Sequence, residues 1–399
     1  MNNKLISRVS VIGQGYVGLP LAIAACEVGF YVNGIDNDLN KVELLNSGFS
    51  VVEDISNMQI DAALKSGNYK ASTKLELISQ SDIILICVPT PLSASHKPDL
   101  SFLTSATISV GKKLMPGTLV IIESTIETGT TREILLPILK RESGLGEHEF
   151  DLAFSPERID PKSEKWVVKN TPKLVSGLTT GALQRAVEFY SKFIDTLVEC
   201  DSLEIAETAK LLENTFRFIN ISFINEMAII CQKLEIDINK VINAAATKPY
   251  GFMPFFPSIG VGGHCIPVDP LYLANKARDV GAPTRFIDLA DQVNREMPEY
   301  FVGRAEKMLG GLKGRKVLVV GVSYKPNVAD VRETPVLALI IGLDKKGANV
   351  SWHDDLVKEW NGVKSAPLSD DYDLAIVATS HDYLDLNLLG KTPILKTKG

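Results

Sequence analysis

Three glycines near the start of the chain have the spacing of a dinucleotide-binding turn. Gly13, Gly15 and Gly18 form a G-x-G-x-x-G pattern directly after an apolar run. The first glycine permits a tight bend, the second lets the backbone approach a pyrophosphate, and the third packs the helix on the strand. Asp36 ends the next apolar run, where a carboxylate binds the adenosine ribose and disfavours a 2′-phosphate. The pattern predicts NAD binding, although a turn without a ligand has the same spacing. Lys41 either reaches the same ribose or is an ordinary solvated lysine.

A second segment with reactive residue types is GVGGHCIPVDP at 260–270. Cys265 follows two glycines and stands next to His264. Small residues let backbone N–H groups and a ligand crowd around the sulfur, which would expose a nucleophilic thiolate. Asp269, four residues later, is a candidate base or water-orienting group. The spacing alone is equally compatible with an inert buried cysteine, because free cysteines are often buried.

The elements that must position these residues alternate between strand and helix in the first half of the chain. Helical stretches separate several short apolar runs, and the alternation predicts a parallel sheet with helices on both faces. The runs are RVSVI at 8–12, YVNGID at 31–36, DIILICVP at 82–89, TLVIIEST at 118–125, FDLAFSP at 150–156 and KLVSG at 173–177.

From about Asp201 the pattern becomes helical. Apolar residues recur at helical spacing for more than thirty residues without Gly or Pro, which predicts an unusually long helix joining domains. Shorter helices are expected to follow to about Gly310. Lys210 and Asn214 are four residues apart and so share one face of the long helix. By spacing alone they would be ordinary helix surface.

After Gly314 the strand and helix alternation returns, beginning with RKVLVVGVSY. We therefore predict an α/β fold class with two Rossmann-like parallel-sheet domains joined by an all-helical middle domain with a long central helix. The predicted boundaries are an NAD-binding Rossmann-like domain at 1–200, a helical central domain with the cysteine loop at 201–312, and a C-terminal Rossmann-like domain at 313–399.

Composition excludes several classes of protein. A net charge of −6 over 399 residues, without a basic block, argues against a nucleic-acid partner. The five cysteines are odd in number and far apart, and His96, His148, His353 and His381 are scattered, so neither disulfides nor a metal site is expected. The start lacks a signal-peptide pattern and no apolar run is long enough to span a bilayer. These features predict a cytoplasmic protein.

Seven ordered motifs resemble the UDP-glucose/GDP-mannose dehydrogenase family, and the resemblance covers nearly the whole chain. Within the family, the SPERIDP, ENTFR, TKPYGFMPF and GGHCIPVDP segments are most similar to dehydrogenases of UDP-N-acetylhexosamines, above all UDP-N-acetylglucosamine. The motifs are GQGYVGLPLA at 13–22, VPTP at 88–91, EST at 123–125, SPER at 155–158, KLLENTFR…NE at 210–226, GVGGHCIPVDP at 260–270 and GVSYKPNVADVRET at 321–334.

The resemblance implies a four-electron oxidation in which a C6 alcohol becomes a carboxylate and two NAD molecules are reduced in succession, for surface polysaccharide synthesis. An aldehyde has no hydride to give in the second step until a nucleophile adds to it. Cys265 would add to the C6 aldehyde as a thiohemiacetal, which is oxidised to a thioester that water hydrolyses.

Further catalytic roles are implied by the same resemblance. Lys210 would stabilise the oxyanion that develops on C6, and Asn214 would donate a second hydrogen bond. Asp269 would activate or orient the hydrolytic water, with Glu157 and Thr125 as further candidates for proton transfer.

The resemblance also implies two sets of binding residues and assigns the UDP-sugar to domain 313–399. Arg158 would recognise the N-acetyl group or its surroundings, whereas Tyr250 and Phe252 would cover the uracil or sugar or simply pack between domains. The cofactor set is Gly13, Gly15, Tyr16, Val17, Gly18, Asp36, Lys41, Thr90, Ser124, Thr125 and Arg332. The substrate set is Glu157, Arg158, Lys210, Asn214, Tyr250, Phe252, Gly262 and Lys325.

Other readings of function remain open at this stage. UDP-N-acetylmannosamine or UDP-glucose could be the substrate, or the chain could be a catalytically silent regulator that binds NAD and a UDP-sugar. A homodimer through the central helical region is expected, because a thirty-residue helix with apolar residues on several faces needs covering.

Overall fold

The computed structural model describes residues 7–93, 97–159, 165–263 and 265–397. His96 and His264 lie outside the described residues. The chain divides into two compact units, Met1–Leu212 and Glu213–Gly399. The predicted boundaries near residues 200 and 312 remain predictions.

The first unit is built on an eight-stranded sheet. Its strands are β1 (Arg8–Ile12), β2 (Tyr31–Ile35), β3 (Tyr69–Ser72), β4 (Ile83–Ile86), β5 (Leu119–Ile122), β6 (Asp151–Phe154), β7 (Lys173–Gly177) and β8 (Leu197–Glu199). Their order is β3-β2-β1-β4-β5-β6-β7-β8, and its first six strands have the doubly wound dinucleotide-binding order. Strands β4 and β5, IILI and LVII, are buried throughout, as expected for central strands covered on both faces.

Helices connect these strands and cover the sheet. They are α1 (Gly18–Glu27), α2 (Leu39–Asn46), α3 (Asn57–Lys65), α4 (Ser101–Gly111), α5 (Leu136–Ser143) and α6 (Thr180–Tyr190), with a 3₁₀ turn at Leu75–Gln80 and a π turn at Thr131–Leu135. Side chains from both faces of the sheet form two apolar cores, one packed under α1 and the other under α4 and α5.

One strand departs from the expected parallel sheet. β7 pairs antiparallel with β6, through Ala153 with Gly177 and Phe154 with Ser176. The described residues between these strands form no helix, so no helical crossover carries the chain back to start a parallel strand. The other pairings in this sheet are parallel.

The long helix predicted from the sequence is α7, which covers Leu203–Lys233 and runs from the first unit into the second. It is followed by α8 (Ile238–Ala245), α9 (Asp269–Asp279) and α10 (Arg285–Leu309). α10 is longer than the short helices expected here, because its 25 residues continue through Pro298.

A second parallel sheet lies in the second unit. Its order is β10-β9-β13-β14, formed by β9 (Lys316–Val320), β10 (Asn349–His353), β13 (Leu374–Val377) and β14 (Ile394–Lys396). Helix α11 (Val336–Lys345), a 3₁₀ turn at Leu386–Leu389 and a hairpin of β11 (Glu359–Trp360) and β12 (Val363–Lys364) complete this region. Two parallel-sheet regions with helices between them confirm the predicted fold class.

Candidate active site

The glycine turn after β1 has the geometry that its spacing predicts. Gly13 has a φ of +91°, and its N–H donates to the Ile35 carbonyl at 2.7 Å. A Cβ on Gly18 would lie 1.9 Å from the Gly13 carbonyl oxygen, so the third glycine is needed for packing. By contrast, apart from Gly15 itself and its two chain neighbours, no atom of the described residues lies within 4 Å of a Cβ built on Gly15. This space beside the N-terminus of α1, where Tyr16 and Val17 complete the turn, fits the pyrophosphate of NAD.

Asp36, directly after β2, is tied to the same turn. Its Oδ2 accepts from Gln14 N–H at 2.8 Å and from Lys41 Nζ at 2.9 Å. Tyr69 donates to Gln14 Oε1 at 2.8 Å, and burial raises the pKa of Tyr69. Gln14 and Tyr69 were not predicted as site residues. Gln14 occupies a position of the glycine pattern that any residue can fill, and Tyr69 is an ordinary strand residue. Neither therefore signals in the sequence that it supports the glycine turn.

Thr90, Ser124 and Thr125 meet at the carboxyl ends of β4 and β5. Thr90 Oγ1 donates to the Thr125 carbonyl at 2.7 Å, and Ser124 Oγ donates to the Val88 carbonyl at 2.6 Å. Ligands of open parallel sheets bind at these strand ends. These three residues of the predicted cofactor set are therefore neighbours in the fold.

Behind the segment that carries Glu157 and Arg158 lies a buried ion pair that the sequence analysis missed. Lys173 Nζ donates to Glu123 Oε2 at 2.7 Å, and lies 3.4 Å from the carbonyls of Ser155 and Pro156. Tyr190 donates to the other oxygen of Glu123. Burial raises the pKa of Glu123, and the Lys173 ammonium opposes this shift. Arg158 itself donates to the Pro172 carbonyl at 2.7 Å.

Lys210 and Asn214 are both buried on α7, at 6% and 7% exposure, which excludes the reading of ordinary helix surface. Glu207, one turn before Lys210, is also buried. It accepts from the N–H groups of Gly129 and Thr131 at 2.5 and 3.0 Å, and so anchors the start of α7 to the segment that follows Thr125.

Cys265, Asp269 and Asn214 come together in the second unit. Cys265 is half-buried, whereas Cys26, Cys87, Cys200 and Cys231 are buried. The Cys265 carbonyl accepts from Asp269 N–H at 2.9 Å, which places Asp269 at the first turn of α9 directly after the cysteine. Asn214 Nδ2 donates to Asp269 Oδ2 at 2.5 Å, so the amide orients the carboxylate next to the thiol loop.

The cysteine loop packs against the segment with Lys325 and Arg332. Gly263 N–H donates to the Arg332 carbonyl at 3.2 Å, and a Cβ on Gly262 would lie 2.9 Å from Tyr324 Cβ. Only glycine permits this approach. The Arg332 guanidinium donates to Asp330 Oδ1 at 2.9 Å.

Two asparagines that the sequence analysis did not predict hold the cysteine loop from the helices. Asn225 Oδ1 accepts from Ser258 N–H at 2.8 Å, and Asn294 Oδ1 accepts from Val261 N–H. Both asparagines are buried within otherwise apolar helix faces. That mismatch with the helical pattern is the signal that could have identified them.

The two aromatic side chains predicted to cover the uracil or sugar are solvent-exposed in this single chain. Tyr250 and Phe252 are 72% and 38% exposed, while Phe255 packs edge-on against Phe216 with centroids 5.9 Å apart. Within the described residues, no group of three or more His, Cys, Asp or Glu side chains could hold a metal ion. None of the described helices is long and apolar enough to cross a membrane.

Comparison with known proteins places this geometry in a family. The chain matches the UDP-glucose/GDP-mannose dehydrogenase family in its NAD binding domain at 7–194, its central domain at 204–296 and its UDP binding domain at 318–395. The protein CapL of Staphylococcus aureus is 38% identical over 87% of this chain and 82% of its own length. UDP-N-acetyl-D-glucosamine 6-dehydrogenase of Salmonella typhi is 34% identical over 94% and 90%.

A solved structure shares the fold over almost the full length. The UDP-N-acetylmannosamine dehydrogenase of Pyrococcus horikoshii is 29% identical, with a TM-score of 0.91 over 98% of this chain and 95% of that chain. The glycine turn with its open position at Gly15 falls in the matched NAD binding domain, and the cysteine loop falls in the matched central domain. The chain belongs to the UDP-glucose/GDP-mannose dehydrogenase family, whose NAD binding, central and UDP binding domains it carries in order.

Proposed function

We propose that the protein oxidises the C6 alcohol of a UDP-N-acetylhexosamine to the carboxylate, and that this substrate is UDP-N-acetylglucosamine. The observation that carries this proposal is the half-buried thiol of Cys265 at the turn into α9, beside the hydrogen-bonded pair of Asn214 and Asp269. A nucleophile next to an oriented carboxylate is what an oxidation through an aldehyde requires.

Cys265 has the central role in the proposed chemistry. Its thiolate adds to the C6 aldehyde, and the resulting thiohemiacetal carbon carries the hydride that the aldehyde could not give. Asp269 takes a proton from the water that hydrolyses the thioester, which releases the carboxylic acid and the thiol. When bound, NAD supplies the acceptor for each hydride.

The other site assignments belong to the same proposal. The buried ammonium of Lys210 stabilises the oxyanion on C6, because a charge in a site that excludes water interacts strongly. Glu157 and Thr125 remain candidates for proton transfer. Lys325, on the segment that packs against the cysteine loop, contacts the sugar or its phosphates, and Arg332 contacts the cofactor pyrophosphate.

The substrate is tested with a panel of UDP-sugars. The Salmonella typhi relative is named for the glucosamine derivative and the Pyrococcus horikoshii structure for the mannosamine derivative. We expect kcat/KM to favour UDP-N-acetylglucosamine over UDP-glucose by roughly a hundredfold or more, since a site that binds the acetamido group rejects a sugar without it. A preference for UDP-N-acetylmannosamine or UDP-glucose would replace the proposed substrate.

The covalent scheme is tested by stoichiometry and by the cysteine. Wild type should yield two NADH for each sugar oxidised. Cys265→Ser should abolish uronate formation. Cys231→Ala is the control and should retain it, because Cys231 is a buried member of an apolar cluster and lies outside the cysteine loop. One NADH with a free aldehyde product, or an unchanged rate in Cys265→Ser, contradicts the scheme.

The proposal includes a cytoplasmic homodimer that supplies a uronic acid for surface polysaccharide. Support for the dimer is a stripe of apolar side chains on α7, where Phe216, Phe223 and Ile230 repeat every seven residues and are each more than 40% exposed. Phe223→Glu should shift the mass measured by light scattering from dimer to monomer. A monomeric wild type would contradict this part of the proposal.

A further inference from the structure

The segment that carries Lys325 leaves β9 and is held by buried side chains. Val322 and Ser323 N–H groups donate to Asp354 Oδ2 at 2.9 and 3.4 Å. Thr379 Oγ1 donates to the Ser323 carbonyl at 2.7 Å, and Ser323 Oγ donates to the Lys325 carbonyl at 3.0 Å. The backbone from which the Lys325 side chain projects is therefore fixed from the ends of the neighbouring strands.

Asp354, directly after β10, is the acceptor at the base of this network. Its Oδ1 accepts from Leu356 and Val357 N–H at 2.9 and 3.1 Å, and its Oδ2 lies 3.1 Å from His381 Nε2. Burial alone would raise the pKa of Asp354, but the hydrogen bonds from His381 and from backbone N–H groups outweigh it and lower the pKa to about 2. The carboxylate stays ionised and keeps all its donors at neutral pH.

His381 connects Asp354 to the far end of the same segment. Asn327 N–H donates to His381 Nδ1 at 2.9 Å, so this nitrogen carries no proton. The proton of the neutral ring is then on Nε2, which donates to Asp354. The buried ring is also stacked on Tyr383, with centroids 5.3 Å apart and planes 9° from parallel.

We propose that His381 is a positioning residue of the UDP-sugar site: its Nδ1 anchors the Asn327 peptide and so sets the position of Lys325 against the diphosphate. Asn327 has a left-handed φ of +64°, which persists only where its surroundings hold it. Its side chain also exchanges two hydrogen bonds with Asp382, the neighbour of His381. This inference rests on the proposed contact between Lys325 and the UDP-sugar.

Two substitutions separate the two ring nitrogens. In His381→Asn the short carboxamide reaches the Nδ1 position, where its oxygen can accept from Asn327 N–H. In His381→Gln the longer carboxamide reaches the Nε2 position and donates to Asp354, but it leaves Asn327 N–H without that acceptor. We expect UDP, measured by calorimetry, to bind His381→Asn within about threefold of wild type and His381→Gln about tenfold or more weakly, as for a buried donor that loses its acceptor.

The kinetic readout should follow the same division. His381→Gln should raise KM for the UDP-sugar with a smaller change in kcat, and the affinity for NAD should be unchanged in both variants. Equal UDP affinities for the two variants would overturn the positioning role. If wild type itself neither binds UDP nor oxidises a UDP-sugar, the proposed function fails. The positioning role is then decided by hydrogen exchange of peptides that cover residues 321–327. Their exchange should be faster in His381→Gln than in His381→Asn.

The wild-type protein provides a test that needs no variant to fold. In protein labelled with ¹⁵N-histidine, the two ring-nitrogen resonances of His381 should show a protonated Nε2 and an unprotonated Nδ1 at pH 7.5. These resonances are assigned by the contacts of the ring with Tyr383, or by their loss in either variant that folds. A proton on Nδ1 would remove the acceptor for Asn327 and overturn the proposal.

Discussion

The two turns that follow β1 and β9 are built alike. Each begins with a glycine of positive φ, +91° at Gly13 and +80° at Gly321. Each is held by an aspartate that directly follows the neighbouring parallel strand, since Gln14 N–H donates to Asp36 and Val322 N–H donates to Asp354. The chain therefore uses the same strand–turn framework twice.

The turns differ in what they leave accessible. α1 begins at Gly18, so its N-terminus directly follows the first turn, whereas α11 begins only at Val336, fifteen residues after Gly321. Asp354 is 1% exposed and receives four backbone N–H groups and His381. The first turn can bind an anion through a helix N-terminus, whereas in the proposed function the second turn binds the UDP-sugar through side chains such as Lys325. An aspartate that holds such a turn is therefore not by itself a sign of dinucleotide binding.

Adding a methyl group to the glycine of the second turn should destabilise the fold more than adding one to the glycine of the first. A Cβ on Gly321 would lie 2.0 Å from the Thr379 carbonyl oxygen, compared with 2.7 Å from the Cys87 carbonyl oxygen for Gly13. Gly321→Ala should lower the free energy of unfolding by on the order of 4 kcal/mol and Gly13→Ala by about 2–3 kcal/mol, from backbone clash and positive φ. Urea unfolding measures both, and a smaller loss for Gly321→Ala would contradict the ranking.

Replacing Asp354, the aspartate of the second turn, should also destabilise the fold more than replacing Asp36, the aspartate of the first. Asn at position 354 would turn an amide donor toward backbone N–H groups, so Asp354→Asn should cost about 2–4 kcal/mol of unfolding free energy at pH 7. Asp36→Asn should cost about 1 kcal/mol, because fewer donors converge on Asp36, and should weaken NAD binding. Similar losses in both variants would show that the second turn is no more dependent on its carboxylate than the first.

The dependence of stability on pH tests the contribution of the Asp354 carboxylate directly. The pKa of Asp354 falls from 3.8 to about 2 on folding, so this group stabilises the fold above pH 3.8 and loses that contribution as pH falls through 2. The contribution is about 2 kcal/mol. Wild type should therefore show a steeper fall in stability between pH 4 and pH 2 than Asp354→Asn, and parallel curves would contradict the assignment.

Substituting Gly15 should weaken NAD binding without changing stability. Because no described atom is near a Cβ on Gly15, Gly15→Ala should leave the thermal midpoint within about 1 °C of wild type. The added methyl would occupy the space proposed for the pyrophosphate and should weaken NAD binding by about tenfold or more. Unchanged NAD affinity, with UDP binding as the control, would place the cofactor elsewhere.

Local patterns were enough to predict the first turn, because Gly13 to Gly18 and Asp36 are positioned by adjacent elements. The start of the long helix was also predicted within about two residues, from about Asp201 against Leu203 in the structure. The burial of Lys210 and Asn214 was not, since helical spacing defines a shared face but not what covers it.

Contacts between distant strands explain most of what the sequence analysis missed. In the sequence His381 is one of several scattered histidines, because its partners Asp354 and Asn327 lie 27 and 54 residues away along the chain. Glu123 and Lys173 are 50 residues apart. Such pairs form only when the strand order of a sheet brings their ends together, and no local spacing carries that information.

Substituting Lys41 should change the protein only slightly. Its ammonium lies 2.9 Å from Asp36 Oδ2 and its side chain is 29% exposed, so the ion pair contributes under about 1 kcal/mol to stability. If Lys41 also reaches the adenosine ribose, Lys41→Ala should raise KM for NAD by about two- to fivefold without moving the thermal midpoint. Lys65→Ala is the control, because Lys65 forms an exposed pair with Asp61 in the same unit, away from the glycine turn. Equal KM values for NAD in both variants would make Lys41 a solvated partner of Asp36, and the first turn would then bind NAD through its backbone and Asp36 alone.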